Sequence, residues 1–555
     1  MLSSSSHSAS LTPSEPADLT THAATCGDVV FDWSYQFVES KVLADFAKAR
    51  LPADFPEQRE ALLNGRYMNV SEQREVRHAL SRGRNRVVRS NNGGLGGSSF
   101  QGNGSEPKFA KIVRKLRSGK WLGATGKPIT DVVNIGVGGS DLGPLMASFA
   151  LREFASDVQQ HKLRTHFVSS MDGGQLYAVL PICNPETTLF IIASKSFATI
   201  DTFANVDTVK VWVRDWFAGA AAGSSANSSA STATSSDEEN DCQSSNKGDT
   251  KVDEKLWLEH HVIGVSANVK RMMEYGIPPA HQLVFEEAIG GRFSMWSAIG
   301  LAIATTCGLG VFERLLEGAA MMDEHFATAP LLENIPMLMA VLGVYNREER
   351  GINNIAILPY DGRFRHLPSY LQQLDMESNG KQYTAAGEAI STPTGPIVWG
   401  GFGPNGQHAF FQHLHQGYDA FCADFVCVLH RDAPQFSDSV AASLASQQKL
   451  SVANCLAHRR LMAFGSQSSV PAEHYPGGHP SSLFALQALT PESFGAIIAA
   501  YEHKIFVQGQ IWGLNSFDQP GVEKGKQVAF ATLRRIEGHS NDSFDASTDA
   551  IINML

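Results

Sequence analysis

The sequence predicts an α/β protein of two or more domains, and three observations predict it. Val132, Val133 and Ile135 form an apolar β-branched run, followed by glycines and then a helical pattern from Leu142. Leu189 to Ala193 repeats that order, with a hydroxyl-rich turn in place of the glycines. The second half returns to it, where 352–358 (INNIAIL) and 421–429 (FCADFVCVL) read as strands. The chain has 555 residues, 43% hydrophobic and 18% charged, which is ordinary globular composition at more than one domain's length.

Charge and cysteines narrow the function classes. The formal net charge of −11 argues against general nucleic-acid or anionic-membrane binding, while leaving room for a small anionic substrate in a locally positive site. Seven cysteines lie far apart with no CxxC pair, so a reducing cytoplasm is expected rather than a disulfide framework or a zinc ribbon. The N-terminus has neither a basic nor an apolar signal region, and no uncharged apolar run is long enough to span a bilayer. No membrane partner is expected.

Taken in order, residues 1–27 are rich in Ser, Thr and Ala and are expected to be a disordered tail. From Val30 to Leu80 the pattern reads as mostly helical, with Ser71 a candidate cap, and 91–105 as a flexible glycine-rich loop. Asp131 to Pro144 reads as strand, glycine turn and helix, an arrangement that cradles phosphate in α/β folds. It lacks the third glycine of a dinucleotide fingerprint and the Gly-Lys-Ser/Thr of a P-loop, so a plain tight turn fits it as well. Ser194, Lys195, Ser196 and Thr199 cluster at an expected helix N-terminus, where they suit a phosphate monoester or simple capping. Residues 218–253 lack periodicity and large apolar side chains, and are expected to be a disordered insertion.

Arg292 follows two glycines at a helix start, with Ser294 a candidate cap. Such an arginine is either structural or faces a developing oxyanion. The stretch 371–380 (LQQLDMESNG) reads as a helix opened by Pro368 and Ser369 and closed by Asn379 and Gly380. Gln373 and Glu377 share a face of it, and Glu377 in the last turn is either a general base or a solvated helix-end carboxylate. In 403–417, Asn405 is expected to cap a helix with His408, Gln412 and His415 on one face. Metal is the other reading of its histidines, but the spacing puts His413 off that face, so no metal is expected. Near the C-terminus, Pro520 is expected to start a helix carrying Lys526, which is a solvated lysine or a substrate-oxygen contact.

Six motifs, in order, resemble the glucose-6-phosphate isomerase family: IGVGGSDLGP (135–144), SKSFATIDT (194–202), GGRFSMWSAIGL (290–301), QQLDMESNGK (372–381), NGQHAFFQHLHQG (405–417) and NSFDQPGVEKGK (515–526). The resemblance runs from about Asp32 to the end, outside 218–253. It implies two αβα sandwich sugar-isomerase (SIS) domains with mainly parallel sheets and helical N- and C-terminal arms. The division that follows is 28–110 helical, 111–310 first domain, 311–510 second domain and 511–555 C-terminal segment. It implies a homodimer with shared active sites, no cofactor, and glucose 6-phosphate and fructose 6-phosphate as substrates. By resemblance, Glu377 is the proton-carrying base, His408 and Lys526 are the ring-opening pair, and Arg292 stabilises the enediolate. Ser194, Lys195, Ser196 and Thr199 hold phosphate, with Gly139, Ser140, Gln373 and Gln519 as further substrate contacts. Departures from the family pattern are Gly-Gly-Phe-Gly-Pro at 400–404, Pro520, Lys524, and Ser196 where threonine is common. A sugar-phosphate sensor without catalysis is the competing class, disfavoured because Glu377, His408, Arg292 and Lys526 occur together.

Overall fold

The computed structural model describes residues 22–83, 106–155, 163–226 and 249–555. The glycine-rich loop at 91–105, most of the expected tail and the centre of the insertion lie outside the described residues.

Helices form at Ser40–Arg50 and Phe55–Leu63 as the N-terminal pattern predicts, but strands at either side of them correct the expected tail and the rest of that segment. β1 (Ala23–Cys26) pairs antiparallel with β2 (Val29–Tyr35), and β3 (Tyr67–Asn69) with β4 (Arg74–Val76). Alternating burial along β1 and β2 explains the first hairpin. Ser71 lies in the β3–β4 turn, not at a helix start.

The first large sheet is wholly parallel. It comprises β5 (Asp131–Ile135), β6 (Arg164–Val168), β7 (Thr188–Ala193), β8 (Val262–Ser266) and β9 (Gln282–Val284) in the order β6-β5-β7-β8-β9. Every residue of β5, β7 and β8 is buried, as expected of parallel strands covered on both faces. The second sheet adds β10 (Asn354–Pro359), β11 (Ile397–Gly400), β12 (Cys422–His430) and β13 (Ser481–Ala488) in the order β1-β2-β13-β12-β10-β11. Its last four strands are parallel, and the N-terminal hairpin joins antiparallel through β2 and β13. In the first sheet the chain steps from β5 to β6 and then crosses to β7 on the other side of β5. The crevice at the carboxyl ends of β5 and β7 is therefore the place for a ligand.

Helices cover both sheets. α1 (Leu142–Leu151) follows β5, α2 (Ile200–Ala226) follows β7, and α3 (Asp249–His261) precedes β8. α2 and α3 thus extend into both ends of the stretch expected to be disordered. Between the sheets lie α4 (Leu309–Thr328) and α5 (Ile335–Glu348), both packed on α6 (Pro491–Trp512). α6 opens with Pro491 behind a capping box, in which Ser493 N–H donates to Thr490 Oγ1 at 3.1 Å. It is buried on nearly every side, and its buried residues include Glu502, His503, Lys504 and Gln508. Gly318 and Gly495 let α4 and α6 touch backbone to backbone: a Cβ at either would fall 1.9 and 2.1 Å from the other helix's carbonyl oxygens. One continuous apolar core runs from Val132 of β5 through Trp296 and α6 to Val426 of β12.

α7 (Glu523–Ile536) is different, because it buries none of its residues, although Val528, Phe530, Leu533 and Ile536 make it amphipathic.

Candidate active site

The two βα turns expected to hold phosphate sit side by side at the carboxyl ends of β5 and β7. After β5 the chain makes a tight turn, with Gly138 at φ +58°. A Cβ on Gly138 would lie 2.8 Å from Gln373 Nε2, and one on Gly139 would lie 2.0 Å from the carbonyl oxygen of Gly291. The glycines thus let this turn press directly on Gln373 and on the residue before Arg292. Ser140 is buried, and its carbonyl accepts from Asn134 Nδ2 at 3.1 Å.

After β7, Ser194 and Thr199 join hydroxyl to hydroxyl at 2.9 Å, just ahead of α2. Between them Phe197 adopts φ +51°, and its buried ring packs on Phe203 and Tyr275. That strained, anchored turn carries Lys195, half-buried, and Ser196, exposed. The Lys195 carbonyl accepts from Ser266 Oγ at 2.9 Å, and Ser196's accepts from Arg271 Nη1 at 3.3 Å. Burial, reinforced by the nearby Arg74, pulls the Lys195 ammonium down to about 8.

Arg292 forms the floor. It lies in a short turn at Gly291–Phe293 and is 4% exposed. Its Nε donates to Ser378 Oγ at 2.6 Å and its Nη1 to Gln519 Oε1 at 3.0 Å. Its Nη2 donates to the carbonyls of Ser516 at 2.6 Å and Asp518 at 3.1 Å. Burial pulls this guanidinium below its ordinary range, and Glu377 and Asp518 oppose that pull. Nη1 lies 3.8 Å from Glu377 Oε2. An arginine gripped on all nitrogens by residues from distant segments is a preorganised cation, which is what a developing oxyanion requires. Ser294 does not cap the next helix; its hydroxyl donates to the Gly291 carbonyl at 2.6 Å, and Ser297 caps instead.

The Glu377 helix forms, with Pro368 in its first turn, but with two differences. His366 rather than Ser369 occupies the cap position, and Gln372–Met376 is a π turn between Leu367–Leu371 and Glu377–Asn379. Lys381, beyond Gly380, donates to Asp518 Oδ1 at 2.5 Å and to the Asp518 carbonyl at 3.0 Å. Asp518 Oδ2 accepts from Ser71 Oγ at 2.5 Å, tying the 515–519 loop to the β3–β4 turn. Ser378, Lys381, Ser516 and Asp518 were not singled out by sequence reasoning. All four lie within the motifs at 372–381 and 515–526, but periodicity does not mark Ser378 and Ser516 as partners of Arg292, or Lys381 as the partner of Asp518.

The remaining two candidates lie apart. His408 is exposed in the turn 407–410, because the expected continuous helix breaks into Gly403–Gly406 and Phe411–Gln416. Phe402, not Asn405, takes the cap position. The three histidines separate: His413 Nε2 lies 3.2 Å from Asp419, and buried His415 meets His458 at 3.1 Å. Lys526 is exposed on α7 and pairs with Glu523 of its own helix at 2.8 Å. Among the described residues, no hydrogen bond or ion pair joins His408 or Lys526 to Arg292 or Glu377.

Among the described residues, Asp131, His166 and Cys183 bring three possible metal-ligand atoms within 4.8 Å. Asp131 Oδ1 is already held by Arg164 Nε at 2.8 Å and His166 Nε2 at 2.9 Å. Burial pushes the Cys183 thiol up to about 11. The cluster sits at the opening of β5, away from the carboxyl-end crevice.

The chain matches a known family. Residues 32–243 and 224–552 match the model of phosphoglucose isomerase. A glucose-6-phosphate isomerase of Idiomarina loihiensis is 59% identical over 95% of this chain and 98% of its own length. One from Psychrobacter cryohalolentis is 42% identical over 96% and 91%. The crystal structure of a glucose-6-phosphate isomerase from Chlamydia trachomatis superposes with a TM-score of 0.75 at 27% identity, covering 97% of this chain and 93% of that one. On its fold, its turn geometry and these matches, the chain belongs to the phosphoglucose isomerase family.

Proposed function

We propose that the chain interconverts glucose 6-phosphate and fructose 6-phosphate, as in glycolysis and gluconeogenesis, by ring opening and proton transfer through an enediolate. The observation that carries this reading is the Arg292–Glu377 approach of 3.8 Å, beside the cradle that carries Lys195. Phosphate is held by Ser194, Lys195, Ser196 and Thr199, with Gly139, Ser140, Gln373 and Gln519 around the sugar. Ring opening needs a proton delivered to O5 and one removed from O1, the task of His408 and Lys526. Glu377 then takes the C2 proton of the open aldose and returns it to C1, while Arg292 meets the negative charge that grows on the enediolate oxygen. The O2 hydroxyl proton passes to O1 at the enediolate stage, by exchange with water or between the two oxygens, and the electrons stay within the substrate, so no step is a redox step.

A homodimer with shared sites is part of the proposal. Its support is that His408 and Lys526 are exposed in one chain, and that the amphipathic α7 buries nothing within its own chain. A second copy that covers α7 can bring a missing residue to each site. The division into domains at 111–310 and 311–510 is supported by a parallel set of strands in each. The cytoplasm is proposed as the compartment. No helix among the described residues is long and apolar enough to cross a membrane, and the described cysteines are free thiols.

The test is a coupled assay with fructose 6-phosphate in EDTA. Steady formation of glucose 6-phosphate is expected. Purified, folded protein that makes none would overturn the reading.

A further inference from the structure

α6, buried along nearly its whole length, carries three consecutive charged or titratable residues, Glu502, His503 and Lys504, none more than 4% exposed. Lys504 Nζ donates to Asp375 Oδ2 at 2.9 Å, with side chains 4% and 3% exposed. The next residue, Ile505, accepts from Asn379 Nδ2 at 2.9 Å through its carbonyl. Glu377 stands midway between Asp375 and Asn379. Two neighbouring residues of α6 therefore grip both flanks of the candidate base.

The gripped segment is unusual, because Gln372–Met376 is a π turn. Such a turn holds one extra residue, and π turns recur at functional sites. At 3.6 residues per turn, one residue corresponds to about 100° of rotation. If the turn relaxed to α geometry, Glu377 would swing about that far from Arg292. A buried ion pair is also a costly way to fill space, and apolar pairs of similar volume are often at least as stable. Lys504 faces Asp424 and Cys422 as well, and Asp424 Oδ2 accepts from the Tyr501 hydroxyl at 3.1 Å. Its directional bond goes to Asp375, the acid within the π turn.

We propose that Lys504 and Asp375 are positioning residues for the proton transfer: their buried pair, with the Asn379–Ile505 bond, holds the π turn that aims Glu377 at Arg292. This rests on Glu377 being the proton carrier.

Three variants test it: Lys504→Met, Asp375→Asn, and the double variant Lys504→Met with Asp375→Leu. The double variant replaces the pair by apolar side chains and removes both of its charges; Asp424 keeps its bond from the Tyr501 hydroxyl, and burial already pushes its carboxyl toward the neutral form, so this variant can fold even if a single change does not. Each folded variant is expected to lose about 10- to 100-fold in kcat, with KM within about threefold of wild type. Catalysed anomerisation of glucose 6-phosphate, which reads ring opening alone, is expected to persist. A folded double variant with wild-type kcat would overturn the proposal. So would a parallel loss of isomerisation and anomerisation, which marks general damage. Glu377→Gln is measured alongside. If it retains full kcat, the assignment of the base fails, whatever Lys504 does.

Discussion

Gly139 packs on Gly291 so closely that no side chain fits between them. A Cβ at Gly139 would sit 2.0 Å from the Gly291 carbonyl oxygen and 2.7 Å from the Arg292 nitrogen. These are backbone atoms, so relief requires moving the turn that carries Arg292. Gly139→Ala is therefore expected to cost about 1–3 kcal/mol of stability and about 100-fold in kcat. Thermal melts and steady-state kinetics check it. A variant with wild-type kcat would show that the Arg292 turn tolerates the shift.

Glu377→Gln keeps size and hydrogen bonding but removes the base. Loss of about 10²- to 10⁴-fold in kcat is expected, with substrate binding largely kept. Exchange of the substrate C2 proton with solvent should fall in step. Unchanged exchange would refute the assignment.

Lys195 gives the site a pH dependence with a definite sign. Burial pulls its ammonium down to about 8, so the group is a cation below that pH and neutral above it. The cation attracts a phosphate dianion and the free amine does not. KM for fructose 6-phosphate is therefore expected to rise as pH climbs through about 8. In Lys195→Arg, which stays charged throughout, that rise should vanish. An identical KM profile in the two proteins would remove Lys195 from phosphate binding.

The shared site has its own test. Suppose Glu377→Gln and His408→Ala homodimers are each nearly inactive. If His408 acts in the partner's site, a hybrid dimer has one site with both lesions and one with neither. Random re-pairing of equal amounts makes about half the dimers hybrid, so about a quarter of wild-type activity is expected on mixing, unfolding and refolding. Confirmed hybrids without recovered activity would place both residues in one chain's site.

Residues 227–248 contain no large apolar side chain, so they have little to add to a core. Replacing them with a short Gly/Ser linker is expected to leave kcat within about twofold and the melting temperature nearly unchanged. A fall of several degrees would show that the segment packs on the domain. The replacement stops at 227 and 248 because α2 and α3 continue to Ala226 and from Asp249.

Local pattern by itself determined the alternation of strand, turn and helix. Residues such as Val132–Ile135 and Leu189–Ala193 carry that signal in their own neighbours, since a buried parallel strand is apolar along its whole length. Six motifs in order also named the family and every residue offered for its site. Tertiary structure alone decided what Arg292 binds: Ser378 lies 86 residues away, Ser516 224 and Asp518 226. No periodicity spans such separations, because helix and strand patterns report only which face is buried. For the same reason the pairing of β2 with β13 and the grip of Lys504 on the π turn at Asp375 were not legible. A π turn leaves no mark in a 3.6-residue pattern; it is fixed by a partner 129 residues away. The exposed His408 and Lys526 extend this one level further, since what completes their chemistry is proposed to lie on a second chain.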